Sequence, residues 1–226
     1  TITGTISIQY GKLVVHRIQD QHRNIIHAAH ANIFLDATAT AELISFRTSI
    51  PVERILVCEA IHDQGAVVHH VQVKDFGLAG KKRADSTDER IKAAIAGIKN
   101  QHEGCNPVEF DHLGKSGVTN AKGVHFRDSR GENSFMENDV FVHVGLPMPN
   151  IGAVRIDYEI LECANAPSFE AYYQDICDAE VFQEMGRDRA LRRDGNIFHY
   201  WLTDLDLPLE AQHMKAADIS IDAASQ

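Results

Sequence analysis

No stretch of this chain approaches the ~20 consecutive apolar residues that a membrane-spanning helix needs, and no signal-peptide pattern opens it. A membrane role and a secretory route are therefore not expected, and a cytoplasmic location is. Cysteine is scarce, at positions 58, 105, 163 and 177. None of these forms a Cys-x-x-Cys pair, which argues against a zinc ribbon and against a disulfide framework. Positive charge is also short: 22 Lys and Arg face 32 Asp and Glu, a formal net charge of −10. The chain as a whole does not attract phosphate, so any nucleic-acid contact must come from a local basic strip or from a neighbouring domain. A phosphate loop is missing as well. Gly77-Leu-Ala-Gly80-Lys81-Lys82 is too short for Gly-x-x-x-x-Gly-Lys-Ser/Thr, and no Asp-Glu strand end offers a magnesium site.

What is present is an ordinary globular composition, 44% apolar and 24% charged over 226 residues, enough to bury a core. Strands are expected at Lys12–Ile18, Ala31–Leu35, Val67–Val73, Val108–Phe110, Asp139–Gly145, Val154–Leu161 and Asn196–Leu202. Helices are expected at Asp20–Ala29, Ala41–Ser49 (halted by Pro51), from Asp85 onward, and from Phe169 to Arg193. The Asp85 helix carries Ile91, Ala94, Ile95 and Ile98 on one face, with Ser86 and Glu89 spaced as a capping box. Gly114–Gly123 reads as a loop and the stretch after Pro208 as a loosely held tail. Strands alternating with helices argue for an α/β domain with a mostly parallel sheet.

Three segments carry candidate chemistry. In Gln183-Glu-Met-Gly186-Arg187-Asp-Arg189-Ala-Leu-Arg192-Arg193, four arginines crowd one helix end. Arginine grips phosphate with paired hydrogen bonds and never loses its charge, so an anionic partner is expected; a solvated basic helix end is the plain alternative. In His125-Phe-Arg127-Asp-Ser-Arg130-Gly131-Glu-Asn133, a glycine permits close backbone approach and Asn133 can bond a ribose or a backbone group; the alternative is a surface turn. Phe34-Leu-Asp36-Ala-Thr38-Ala39 is a strand-end turn whose small hydroxyls can exchange hydrogen-bond partners. Of the thirteen histidines, His69-His70 and Asp111-His112 come nearest to a metal set, yet neither has ligand spacing, and no metal site is expected.

The first segment resembles motif VI of superfamily 2 helicases, Gln-x-x-Gly-Arg-x-x-Arg, although the second arginine falls at 189 and alanine stands at 190. The second resembles their motif V, with Asn133 where aspartate is usual and Val140 to Pro147 as the strand that follows. The third resembles the Ser-Ala-Thr motif III. Their order along the chain is the helicase order. Together with Asp85-Ser-Thr-Asp-Glu-Arg90 and Gly145-Leu-Pro-x-Pro-Asn150, the set is similar to cyanobacterial plasmid replication proteins of the primase–helicase kind.

The resemblance implies a RecA-like, P-loop NTPase-like fold lacking its own phosphate loop. Residues 1–45 would end a first RecA-like domain, 46–209 would form the second, and 210–226 a tail. It implies ATP-dependent DNA unwinding in plasmid replication, with ATP and Mg bound mainly by an upstream RecA-like domain of the same polypeptide. Arg187, Arg189 and Gln183 would be catalytic, with the choice of finger between the arginines left open. Gly131, Asn133 and Gly186 would line the nucleotide; Arg127, Arg130 and Lys122 would meet DNA; Asp36 and Thr38 would couple hydrolysis to movement. Two other readings are a non-enzymatic nucleic-acid or protein-binding module on the same fold, and a metal-dependent phosphohydrolase. Because half an ATP site has no phosphate cradle, the purified 226-residue chain should turn over no ATP. Turnover that survives removal of contaminating ATPases would overturn that expectation.

Overall fold

The computed structural model describes residues 4–9, 11–17, 20–34, 39–53, 66–73, 85–105, 107–111, 122–126, 135, 137–161, 166–186 and 196–219. Its contacts divide the chain into two units, each built from two sequence segments: 1–57 with 149–180, and 58–148 with 181–226.

The second unit is built on six strands: β3 (Ala66–Gln72), β4 (Val108–Asp111), β5 (Lys122–His125), β6 (Val140–Val144), β7 (Ile197–Thr203) and β8 (Gln212–Lys215). They lie in the order β5-β4-β6-β7-β3-β8, and every pairing is parallel. A parallel sheet must be covered on both faces, and side chains alternate across it. Val140, Val142 and Val144 of β6, Tyr200 and Leu202 of β7 and Val71 of β3 therefore share one face. Against it packs α3 (Asp85–Gln101), whose Ile91, Ala94, Ile95 and Ile98 are all fully buried. Phe110, Phe126, Phe135, Phe141 and Ile197 fill part of the other face. Around Trp201 the same face is covered by Leu146, Val181 and Met185.

The first unit contains an antiparallel hairpin, β1 (Gly4–Gln9) with β2 (Lys12–Arg17). It also contains α1 (Asp20–Ala28), α2 (Ala41–Thr48), α4 (Ile151–Leu161) and most of α5 (Phe169–Met185). Thr40 caps α2 by accepting from the Leu43 amide at 3.1 Å, and Ser49, at φ 59°, closes its other end. Leu43, Phe46, Val154 and Tyr172 form the unit's core.

Several expectations are corrected. Val154–Leu161 is not a strand but part of α4. Apolar and polar residues alternate there as in a strand, but Val154, Tyr158 and Leu161 also make a helical stripe. Asn150 decides between them, its Oδ1 accepting from the Ala153 amide at 3.0 Å as an N-cap. Arg155 and Glu159 then pair at 3.3 Å one turn apart. Residues 31–34 form no strand; the Asn32 side chain instead bonds the Ile26 carbonyl at 2.9 Å, a local contact that competes with strand pairing. No capping box forms at α3, which begins at Asp85 and places Ser86 inside its first turn; Glu89 pairs with Lys92 at 2.8 Å instead. Gly123 lies in β5, not a loop. The stretch after Pro208 is not loose: β8 pairs with β3, and Ile219 of α6 (Ala216–Ile219) is 4% exposed in the core.

The α3 packing gives a stability test. Ile95→Ala removes a wholly buried side chain from close-packed surroundings and should cost about 2–5 kcal/mol. Asn100→Ala, on the exposed side of the same helix, should stay within about 0.5 kcal/mol. Urea unfolding of the two variants checks this; equal midpoints would mean that α3 does not hold the sheet.

Candidate functional site at the carboxyl edge of the sheet

In open parallel α/β sheets, ligands bind beyond the carboxyl ends of the strands. At the end of β6 the chain turns sharply. Gly145 has φ 86°, a conformation that a side chain would strain, and its amide donates to the Leu202 carbonyl at 2.9 Å. Leu146 and Met148 follow β6, and Leu205 and Leu207 follow β7. These four residues share one apolar cluster with Val181 and Met185, from the last turn and a half of α5. That end of α5, which carries Gln183 and Gly186, therefore packs on the Trp201 face of the sheet, in a cluster that also takes in Ala66 and Val68 from the start of β3.

Gln183 is half-buried and Gly186 is exposed at the helix end, its amide donating to the Phe182 carbonyl at 3.1 Å. A Cβ placed on Gly186 would meet nothing nearer than the Phe182 and Gln183 carbonyl oxygens, both at 3.7 Å. Neither clash nor backbone strain demands a glycine there. Glu184, between Gln183 and Met185, is 1% exposed, a buried carboxylate inside the motif that reading the motif for its arginines passes over.

Lys122 begins β5, an edge strand, opposite Val108 of β4. The other expected site residues, Arg187, Arg189, Gly131, Asn133, Arg127, Arg130, Asp36 and Thr38, lie outside the described residues. The strand that leads toward Arg127–Asn133 ends at His125, at the same carboxyl edge. Of the turn resembling motif III, Thr40, just beyond it, serves as the cap of α2.

One level below this edge lies a feature that motif reading misses. Register places Phe110 beside His143, His143 beside Trp201, Trp201 beside His70, and His70 beside His213. Five strands thus contribute a row of rings to one face. Phe110 and His143 stack at 5.1 Å and His143 and Trp201 at 3.9 Å, planes 9° apart in the latter. His143 Nε2 also meets His199 Nδ1 at 3.0 Å. His70 Nε2 donates to the Thr203 carbonyl at 3.1 Å. The buried Nδ1 atoms of His70 and His143 and Nε1 of Trp201 have no hydrogen-bond partner. Each such group costs on the order of 1–3 kcal/mol against an apolar replacement. The signal was in the sequence as period-two alternation: Phe141 and His143 in β6, His199 and Trp201 in β7.

His69 and His70 do not share an ion. Successive strand residues point to opposite faces: His69 stacks on Tyr200 at 4.6 Å, whereas His70 bonds Thr203. Among the described residues, no three His, Cys, Asp or Glu come together to hold a metal. Nor does any described helix have the length and apolarity to cross a membrane.

No family model matches this chain, and no curated protein matches it. Among solved structures, that of apo XPD, a superfamily 2 helicase, superposes with a TM-score of 0.55 at 15% identity. The match covers 94% of this chain and 54% of the XPD chain. The fold is RecA-like, α/β with a parallel sheet. At that identity the likeness speaks for fold alone, and this chain spans about half the length of the neighbour it matches.

The buried imidazoles make this RecA-like fold acid-sensitive. Burial first, and the neighbouring His199 second, hold the His143 pKa well below the ordinary histidine range. His69 is lowered by burial and then by His102, and His102 by burial. The unfolded chain takes up these protons near pH ~6.5 while the folded chain does not. Stability should therefore be fully present above about pH 6.5 and fall below it, by at most about 1.4 kcal/mol per pH unit for the fully buried His143 and by less for the half-buried His69 and His102, where solvent screens the effect. His143→Phe keeps a flat ring and removes the titration, so its melting temperature should fall less steeply between pH 6.5 and 5. An unchanged acid limb would assign the sensitivity to other groups.

Proposed function

We propose that this chain is the second RecA-like domain of an ATP-dependent DNA helicase, supplying one wall of an ATP site whose phosphate cradle and Mg belong to an upstream RecA-like domain. The observation that carries this reading is that the Gln183-x-x-Gly186 end of α5 shares, through Val181 and Met185, one apolar cluster with Leu146, Met148, Leu205 and Leu207, which follow the carboxyl ends of β6 and β7; ligands of parallel sheets bind beyond those ends. The likeness of the fold to XPD, a superfamily 2 helicase, supports it. The missing phosphate loop fits a half-site.

The residues suit a triphosphate. Gly186 is exposed and unobstructed, so a ligand can approach its backbone, and half-buried Gln183 stands one turn before it. In this reading Arg187 or Arg189 reaches the γ-phosphate and neutralises charge that develops as the bond to the β-phosphate breaks. Such arginines act by electrostatics on the transition state and not by covalent chemistry. Gly131 and Asn133 line the nucleotide from the segment after β5. Arg127, Arg130 and Lys122 meet the DNA backbone by charge, and Asp36 and Thr38 couple hydrolysis to movement. Residues 1–45 then close a first domain, and the second begins near 46 and extends past 209, since β8 and Ile219 belong to its sheet and core. The motif set assigns the whole enzyme to plasmid replication in the cytoplasm.

Two substitutions in the full-length protein test the reading. Arg187→Ala should lower kcat for DNA-stimulated ATP hydrolysis by ~10³ or more with little change in DNA affinity. Gly186→Ala should leave the melting temperature level or slightly raised, since alanine is accommodated there and restricts the unfolded chain, yet cut ATPase at least tenfold. Normal ATPase in both would favour a non-enzymatic binding module on this fold. Equal loss of DNA binding by Arg187→Ala would make that arginine a backbone contact.

A further inference from the structure

Reading the Gln183–Gly186 end of α5 as nucleotide-facing raises the question of what fixes its height above the sheet. Among the described residues, Trp201 is the largest that is fully buried. It sits in the middle of the row of rings, flat on His143 at 3.9 Å, and His143 is in turn held by His199 at 3.0 Å. Trp201 also shares a cluster with Val181 and Met185. Those two residues lie one helical turn apart and bracket Gln183, so the surface they rest on sets where Gln183 stands.

That platform is unusual in its chemistry. A Leu or Phe core would fill the same face without burying polar atoms, yet Nε1 of Trp201 and Nδ1 of His143 are both buried without partners. Positions that break the cheapest packing rule tend to be functional or to support function. What the rings supply that branched aliphatics do not is stiffness: stacked planes with two torsions each, clamped by an imidazole–imidazole hydrogen bond. A catalytic group held within about half an ångström of its productive place needs support of this kind.

We propose that Trp201 is a positioning residue for motif VI: its indole, braced by the His143–His199 pair, sets the end of α5 so that Gln183 and Gly186 stand at the height from which the nucleotide is met. Trp201 touches no ligand in this scheme and acts through Gln183. The proposal rests on the nucleotide-facing reading of α5, and its test separates the two.

The test measures DNA-stimulated ATPase and melting temperature on the full-length protein carrying Gln183→Ala, Trp201→Phe, and both. Trp201→Phe keeps an aromatic ring but lowers the platform by the lost fused ring. It should reduce kcat about tenfold with KM unchanged, because the support matters in the transition state. In the Gln183→Ala background the same change should reduce kcat no further, the non-additivity expected of residues acting as one unit. A purely structural Trp201 would lower the melting temperature and give kcat losses that multiply; that result overturns the proposal and leaves the helicase reading standing. If Gln183→Ala alone leaves kcat untouched, the nucleotide-facing reading fails and takes the proposal with it. Should Trp201→Phe not fold, Val181→Ala loosens the same contact from the helix side and is read by the same cycle.

Discussion

Six parallel strands leave two faces to bury and no hairpin to pair them, so this sheet depends on its crossovers for cover. On one face a single helix does most of that work. Ile91, Ala94, Ile95 and Ile98 recur at helical spacing and meet alternate valines of β6 and β3. The burial of those side chains ties strands that are far apart in sequence. On the other face the cover is divided among phenylalanines near β4 and the last residues of α5 near β7. The division has a consequence for function, because the segment that completes the core is also the segment that carries the conspicuous Gln-x-x-Gly-Arg run. Packing and placement of the motif are therefore one event.

Trp201 stands where these demands meet. It is buried for the reason any large ring is, the removal of apolar surface from water. Its neighbours on the same level are polar: His143 on one side and His70 on the other. A sheet level made of imidazoles and an indole accepts a loss of stability in return for fixed ring planes, and at His143 that loss grows in acid as the unfolded state gains a proton that burial makes the folded state resist. The segment between β6 and β7 that brings α5 to this place also contributes residues 149–180 to the other unit. One crossover thus serves two cores, through Tyr172 early in α5 and Val181 and Met185 late in it.

The parallel sheet was legible because its central strands are short apolar runs bounded by glycine and proline, and α3 because its isoleucines keep period. Where the reading failed, a local interaction outweighed pattern. Val154–Leu161 alternates like a strand, but the Asn150 cap and the stripe of Val154, Tyr158 and Leu161 make it helical. β5 and β8 escaped notice because both are four-residue edge strands with polar residues, stabilised by a neighbour and not by their own composition. The ring row was invisible to a search for ligand spacings, since its members come from five strands and are brought level only by register. The motif at Gln183 was visible as residue types in order; its packing against the Trp201 face follows from Val181 and Met185, which no motif pattern includes.

Gly186 connects this packing to chemistry. A glycine persists in a fold for a limited set of reasons: a positive φ, a backbone that passes too close for a Cβ, or a partner outside the chain that does so. Among the described glycines, Gly145 meets the first condition, with φ 86° at the end of β6. Gly186 meets neither the first nor the second, as it is exposed with ordinary contacts at 3.7 Å. In the proposed reading, the third condition is met by a partner that approaches the backbone at the end of α5. The residues that follow in sequence are Arg187, Arg189, Arg192 and Arg193, in a chain whose net charge is −10. In the sequence, four arginines crowded into so acidic a chain favour a small, dense anion over an extended acidic surface, because the attraction is strong nearby and cancelled farther away. A triphosphate has that shape and charge, so the proposed half-site would bring the glycine and the arginines under one ligand in an acidic chain.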